Sequence, residues 1–486
     1  MGISDAENPN GLNKEQEVLS EEEHSSWKFW KKRRYIVAFL AFLGFFNVYA
    51  LRVNLSIAIV AMTDKSDGKT PEFDWDSKMQ GLVLSSFFYG YITTQLVGGY
   101  VAGRIGGKKV YGCGIAVTAV LTVLTPWMAK TSIYLLIAVR IIEGIFEGVS
   151  YPCIHAVWSK WAPPLERSRL ATIAFSGSYV GTVVAMPSSA YLSDAFGWPS
   201  IFYCFGTIAI IWFLVWMVVV AETPEDDPHI SPAELKYITE SLKKNSNSKT
   251  PKVPWRDIVT SMPVWAIVCS HFSENWGFYT LLTLLPKFMK DVLKFELGTS
   301  GFMSAVPYLA MAIMISIAGH FADLMQVKKI LTTTQVRRYF NCSGFIAQTV
   351  FMLGAAYAQS TAVCMVCLTL AVGLGAFAWA GFSVNHLDIA PQFAGLLMGF
   401  SNTFATLPGI LSPIIAGYIV TTPTAEEWRI VFFISSGVYL FGSVFYFIFV
   451  SGELQPWAMD ETPSHQNQIP IENGCQNKAY VQTDEL

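Results

Sequence analysis

Apolar runs of about 20 residues, the length that crosses roughly 30 Å of hydrocarbon, recur twelve times along this chain of 486 residues. They fall near 35–62, 79–103, 109–128, 132–158, 170–192, 199–221, 262–286, 299–322, 340–358, 361–384, 393–420 and 429–451. Lipid offers the backbone no hydrogen-bond partner, so each run must satisfy its own N–H and C=O groups as a helix. Six spans, a long polar interval and six more predict an all-α membrane protein with 12 transmembrane helices in two six-helix halves. With 52% hydrophobic and 14% charged residues, the chain is too apolar for an ordinary soluble enzyme.

Lysine and arginine orient the spans, because short connections rich in them stay in the cytoplasm. Alternate connections and the two ends carry 23 of the 33 basic residues, eight lie on the opposite side, and Arg52 and Arg140 fall inside spans. Both termini are therefore expected in the cytoplasm. The chain divides into a disordered tail at 1–34, a first bundle at 35–221, a cytoplasmic linker at 222–260, a second bundle at 261–451 and a cytoplasmic tail at 452–486. In the linker, Ser231-Pro232-Ala233-Glu234 has the spacing of a capping box with proline at the first helical position. A short surface helix through Leu242 is predicted. The first apolar run is too long for a signal-peptide core and has no small-residue cleavage site. A net charge of −3 gives no footprint for nucleic acid.

Charge inside a span is the next constraint, since an ionisable side chain in the bilayer costs a few kcal/mol. The fourth span carries Arg140, Glu143, Glu147 and His155. At about 100° per residue, with Arg140 at zero, Glu143 falls near −60°, Glu147 near −20° and His155 near +60°. An unbroken helix would place all four on one arc. One reading is internal ion pairing, Arg140 with Glu143 or Glu147. The other is transport chemistry, because burial and a nearby arginine pull a carboxyl's proton affinity in opposite directions. Glu143 and Glu147 are then the proton-coupling pair. His155 is a proton relay or a structural hydrogen bond, imidazole titrating near pH ~6.5. Gly144, Gly148 and Pro152 should let this helix bend and let a neighbour approach.

Arg52 lies too deep in the first span to snorkel and needs an anionic partner. Its planar fork suits carboxylate or phosphate, making it the first candidate for gripping an anionic substrate. A static pair with a carboxylate of the fourth or seventh span is the alternative. Arg140 is a second anion contact or a counter-charge to the glutamates. Tyr49, Phe87, Phe88, Tyr91 and Tyr279 offer flat walls and hydroxyls. Ser401 and Asn402 add polar groups on the eleventh span, where such residues also serve helix packing. In the seventh span Glu274 is a gating or ion candidate toward the extracytoplasmic end, beside a stretch at 275–279 that reads as broken helix. Seven of the eight cysteines lie in or beside apolar spans and read as small core residues, with Cys475 in the polar tail. Cys364-x-x-Cys367 has no second pair, so neither metal nor cofactor is expected. The carboxyl end Thr483-Asp484-Glu485-Leu486 resembles a lumenal retention signal but is expected in the cytoplasm.

Several strings then become diagnostic: RVNLSIA at 52–58, FFYGYITTQ at 87–95, RIIEGIFEG at 140–148, WAPPLERS at 161–168, NWGFYTLLTLLP at 275–286, NHLDIAP at 385–391 and SNTFATLPG at 401–409. Together they resemble the anion:cation symporter family of the major facilitator superfamily, in order and in both halves, over about residues 35–458. That family includes sialin, the vesicular glutamate transporters and the type I sodium/phosphate cotransporters, and the sialin branch is nearest. The resemblance implies the major facilitator fold and proton-coupled export of acidic sugars and other organic anions from lysosomes. Carried over by motif, Arg52 and Arg140 face the anion, Glu143 and Glu147 couple protons, and His155 supports them. Tyr49, Tyr91, Tyr279, Ser401 and Asn402 match positions lining the pocket. Three departures stand out. Gly103 replaces the aspartate of the loop after the second span, and Leu84 replaces a histidine of the glutamate transporters, which argues against vesicular glutamate loading. Glu274 stands where those transporters have arginine and sialin has tyrosine.

The expected activity is proton-coupled symport of an organic anion, such as sialic acid, by alternating access. The alternative is sodium-dependent transport of inorganic phosphate, which the same arginines would serve. A monomer in the lysosomal, endosomal or plasma membrane is expected, with a small anion as its partner and no enzymatic activity.

Overall fold

The computed structural model describes residues 32–64, 72–163, 166–243 and 253–459. Sixteen α-helices follow in order among them: α1 Arg33–Met62, α2 Ser77–Ile105, α3 Gly107–Thr131, α4 Ile133–Glu147, α5 Ser150–Trp161, α6 Arg167–Phe196, α7 Pro199–Val219, α8 Pro232–Lys243, α9 Trp255–Thr260, α10 Met262–Asp291, α11 Leu297–Val327, α12 Thr333–Tyr357, α13 Thr361–Phe382, α14 Asn385–Ile389, α15 Ala394–Ile419 and α16 Ala425–Phe449. Each expected span coincides with a helix, the fourth with α4 and α5 together, and the predicted surface helix is α8. Cys475, Lys478, the carboxyl-terminal residues Thr483 to Leu486 and most of the polar run at 243–249 lie outside the described residues.

Two boundaries differ from the expectation. Arg33 and Arg34 belong to α1 rather than to a tail, because acidic groups hold them. Arg33 pairs with Asp227 at 2.7 Å, and Arg34 pairs with Glu166 at 2.8 Å and with Glu234 of α8 at 3.0 Å. Glu234 Oε2 also accepts the Arg33 backbone N–H at 2.9 Å, capping the start of α1 from the linker. At the other end, residues 452–459 pack on the second half: Gln455 N–H donates to Ile389 O at 2.9 Å and Ala458 is buried.

The fourth span is two helices. Pro152 lacks the N–H that would bond to Gly148 O, so the ladder breaks at Gly148–Val149 and restarts at Ser150. By contrast α10 runs unbroken through 275–279. Gly277 there answers packing, since any side-chain atom would overlap Tyr439 Oη. Of the cysteines, Cys153, Cys342 and Cys364 are buried whereas Cys113 is exposed on α3, an apolar side chain at home in lipid.

The two sets of helices meet on the side away from the termini. Gly81 of α2 lies against the Pro413 carbonyl of α15, Gly417 lies 2.6 Å, measured from an ideal Cβ, from Ser77 O, and Gly301 of α11 presses on Ala190 of α6. Lys287 Nζ donates to Ser77 Oγ at 3.0 Å and Gln80 Oε1 at 2.8 Å, and Lys290 pairs with Asp64. On the side of the termini no such glycine contact joins the two sets among the described residues: a Cβ at Gly103, Gly319, Gly395 or Gly399 would meet nothing within 4 Å. The molecule is closed at one end and open at the other.

Candidate functional site

Interlocked glycines set the site. Gly90 of α2 lies on the Ile141 carbonyl of α4, and Gly144 of α4 on the Phe87 carbonyl of α2, so the two backbones touch. That approach carries Arg140, Glu143 and Glu147 against Phe87 and Tyr91. Arg52 reaches the same place from α1. Its Nε donates to Glu147 Oε1 at 2.9 Å and its Nη2 bonds to the same oxygen. The guanidinium lies over the rings of Tyr49 and Tyr91 at 4.7 Å and of Phe87 at 5.1 Å, an aromatic box that favours a cation.

A second pair also stands beside Phe87. Arg140 Nη1 donates to Glu143 Oε2 at 2.7 Å, and Thr122 Oγ of α3 donates to Glu143 Oε1 at 3.0 Å. Arg140 also stands 5.1 Å from the Phe87 ring. Arg140 is thus paired within its helix, as the ion-pairing reading expects, and Glu147 is paired across helices with Arg52.

The pairs are incompletely satisfied. Arg52 Nη1, Glu147 Oε2 and Arg140 Nε are buried without a hydrogen-bond partner among the described residues. Buried polar atoms are nearly always partnered in folded proteins, so these atoms stand out from the rest of the core. Tyr49 Oη lies 3.2 Å from Tyr151 Oη, extending the wall onto α5. Tyr279 of α10 joins from the second half, its partner Phe88 stacking edge-on at 4.7 Å. Asn402 Nδ2 donates to Gln95 Oε1 at 2.9 Å, bridging α15 to α2.

Three expected site residues lie elsewhere. His155 is exposed on α5, two turns beyond Glu147, with its ring 5.6 Å from Phe175, the ring that Tyr151 also meets at 5.4 Å. Ser401 is buried between two histidines, with His271 Nδ1 and His386 Nε2 each 3.1 Å from its Oγ. Glu274 sits near the middle of α10, not toward its far end, because the helix extends to Asp291. Its side chain points toward Gln348 of α12. Thr122, Tyr151, Gln95 and His386 were missed from sequence. Tyr151 stands one turn beyond Glu147 and His386 is an ionisable group in an apolar setting, which are signals; Thr122 and Gln95 offered none.

Outside the membrane-spanning segments, Glu166 lines the open end. Partial burial pushes its carboxyl up, yet the hydrogen bonds and charge of Arg34 outweigh this and hold it below its ordinary value.

A family model described as Major Facilitator Superfamily matches residues 35–413, most of the chain. The chain belongs to the Major Facilitator Superfamily. Among superfamily members, sialin of Ovis aries and sialin of Homo sapiens are each 45% identical over 460 residues, covering 89% of this chain and 92% of theirs. Vesicular glutamate transporter 2 of Homo sapiens is 43% identical over 472 residues, covering 93% and 81%. These relatives place the chain in the anion:cation symporter family to which its motifs pointed. Among solved superfamily structures, a bacterial homologue of the human lysosomal transporter Spinster, inward-facing and unoccupied, aligns with TM-score 0.70 at 15% identity, covering 87% of this chain and 99% of that one. A D-xylose–proton symporter aligns with TM-score 0.66 at 15% identity, covering 86% and 98%. At that identity the likeness shows the fold alone. The chain is a multi-pass membrane protein of a transporter superfamily, with the twelve-span architecture.

Proposed function

We propose that this protein is a proton-coupled symporter of organic anions, with sialic acid and related acidic sugars or carboxylates as substrates. The observation that carries the reading is the buried Arg52–Glu147 pair, with Arg52 Nη1 and Glu147 Oε2 unpartnered inside an aromatic box. Relatives named sialin support the substrate class.

Coupling follows from charge balance. A substrate carboxylate that takes the Arg52 fork displaces Glu147, which is then a buried charge without its partner. Stripping one partner from a buried pair costs about 3–5 kcal/mol. Taking up a proton removes that cost, so anion and proton bind together. At ~1.4 kcal/mol per decade, this makes the anion bind on the order of 100-fold or more tighter when Glu147 can be protonated. Arg140–Glu143, held by Thr122, provides the fixed counter-charge and a second titratable carboxyl beside Phe87. Tyr49, Tyr91 and Tyr279 wall the anion, and Asn402 faces it from the second half.

With both termini in the cytoplasm, as the basic residues favour, the open end faces inward. Alternating access then consists of parting the contacts of Lys287 and Lys290 while the open end closes. Export from an acidic compartment fits this polarity and a lysosomal or endosomal residence.

Proteoliposomes loaded at neutral pH and diluted into acidic buffer should take up radiolabelled N-acetylneuraminate, with uptake lost in Glu147→Gln. Replacing sodium with choline at fixed pH should leave uptake unchanged. Uptake abolished by choline, with phosphate as the better substrate, would instead establish sodium-driven phosphate transport.

A further inference from the structure

The second half contains a buried carboxyl that the Arg52–Glu147 mechanism does not use. Glu274 is 2% exposed, and among the described residues it makes no ion pair. Its Oε1 lies 3.4 Å from Gln348 Nε2, longer than an ordinary hydrogen bond, and its Oε2 has no partner. Gln348 Oε1 is likewise buried without a partner, and the Trp379 indole N–H lies toward Glu274 without closing a hydrogen bond. The niche is shaped for this contact: a Cβ at Gly375 of α13 would stand 2.9 Å from Glu274 Oε1 and overlap Gln348 Nε2.

Among the described residues, no surrounding element supplies a positive charge. Gln348 from α12, and Gly375 and Trp379 from α13, are not ionisable. Tyr439 of α16 and Tyr179 of α6 lie within electrostatic reach as neutral phenols, and α11 brings Tyr308. His271, one turn earlier on α10, packs its ring against Trp379 at 5.8 Å and commits Nδ1 to Ser401. A carboxylate here would have only neutral donors, Gln348 and Trp379, and no counter-charge in low dielectric, far more costly than the neutral acid. One carboxyl and one amide oxygen are too few ligands for a metal cation. A proton needs only the carboxyl, and the neutral acid brings an O–H donor to a niche whose amide oxygen has none.

We propose that Glu274 is a second proton-binding site, held as the neutral acid in the state open toward the termini and separate from the Arg52–Glu147 pair. Its part in coupling rests on the proton-driven reading above; its protonation does not. Binding a proton from water forms one O–H bond and discharges the carboxylate, and release reverses both.

Infrared spectra of the full chain in lipid near neutral pH test the site without any substrate. The wild type should show a carboxylic-acid C=O band that shifts down in D2O, disappears in Glu274→Gln and moves to higher frequency in Gln348→Leu, where the amide contact is gone. A Glu274→Gln spectrum that loses carboxylate bands instead, or loses nothing, overturns the proposal. For the role in transport, N-acetylneuraminate uptake by Glu274→Gln should lose one titrating step of the wild-type pH profile while remaining stimulated by the proton gradient. An unchanged profile overturns that role. Absence of gradient-driven uptake in the wild type would sink the transport reading and leave the infrared result standing.

Discussion

Replacing Gly144 with alanine tests how tightly transport depends on the contact between α2 and α4. A Cβ at 144 would overlap Phe87 O and stand 2.8 Å from Tyr91 N, against 3.4–4 Å for ordinary contact. Relieving the Tyr91 contact alone moves α4 by about 0.6 Å, from 2.8 Å to 3.4 Å, and the overlap with Phe87 demands more. Both obstacles are backbone, so no side chain can rotate aside. Glu147 is one turn further along α4, and the same shift stretches its 2.9 Å bond to Arg52 Nε beyond hydrogen-bond range. Overpacking of this kind costs roughly 1–3 kcal/mol, and a misplacement near 1 Å costs on the order of 100-fold in rate. Gly144→Ala should therefore lower the thermal midpoint of the purified protein and reduce N-acetylneuraminate uptake per folded molecule by about that factor. Gly437→Ala, where nothing lies within 4 Å of the added methyl, should leave both unchanged. Wild-type uptake and stability in Gly144→Ala would refute the claim that this contact positions the charged pairs.

Other consequences follow from the same pairs. Arg140→Met strands Glu143 in the core with only Thr122 and should destabilise by about 3–5 kcal/mol; Arg140→Met combined with Glu143→Leu should recover most of this in thermal unfolding, but not transport. Glu166 is held below its ordinary value by Arg34, so its stabilising contribution is present above the unfolded value near ~4.3 and is lost as pH falls through the lower folded value. The difference in thermal midpoint between wild type and Glu166→Gln should accordingly be full at neutral pH and close in strong acid. A difference that does not vary with pH would contradict the Arg34 contact.

The twelve spans were legible because a bilayer demands runs of one length, and composition alone supplies that signal. The Arg140–Glu143 pair was legible too, since i and i+3 are neighbours on any helix. Arg52–Glu147 was visible only as one option, because sequence places Arg52 at a depth but does not say which span faces it. Errors arose where local irregularity overrode periodicity. Pro152 and Gly148 interrupt the fourth span, and His155 lies exposed beside Phe175, two turns from the charged pairs. Gly277 read as a break in α10 but is a cleft for Tyr439. Ser401 was read as a pocket residue from the family resemblance, whereas the two histidines that enclose it come from α10 and α14, a juxtaposition only the fold creates. Glu274 was recognised as costly from sequence; its orientation toward Gln348 was not.

The central claim is that the anion displaces Glu147 from Arg52 and thereby binds a proton. Titrating N-acetylneuraminate into the purified protein by calorimetry, in buffers of different ionisation enthalpy near neutral pH, counts the protons taken up per anion bound. One proton per anion in the wild type, and none in Glu147→Gln, is the predicted result. Binding to the wild type with no proton uptake would contradict the account.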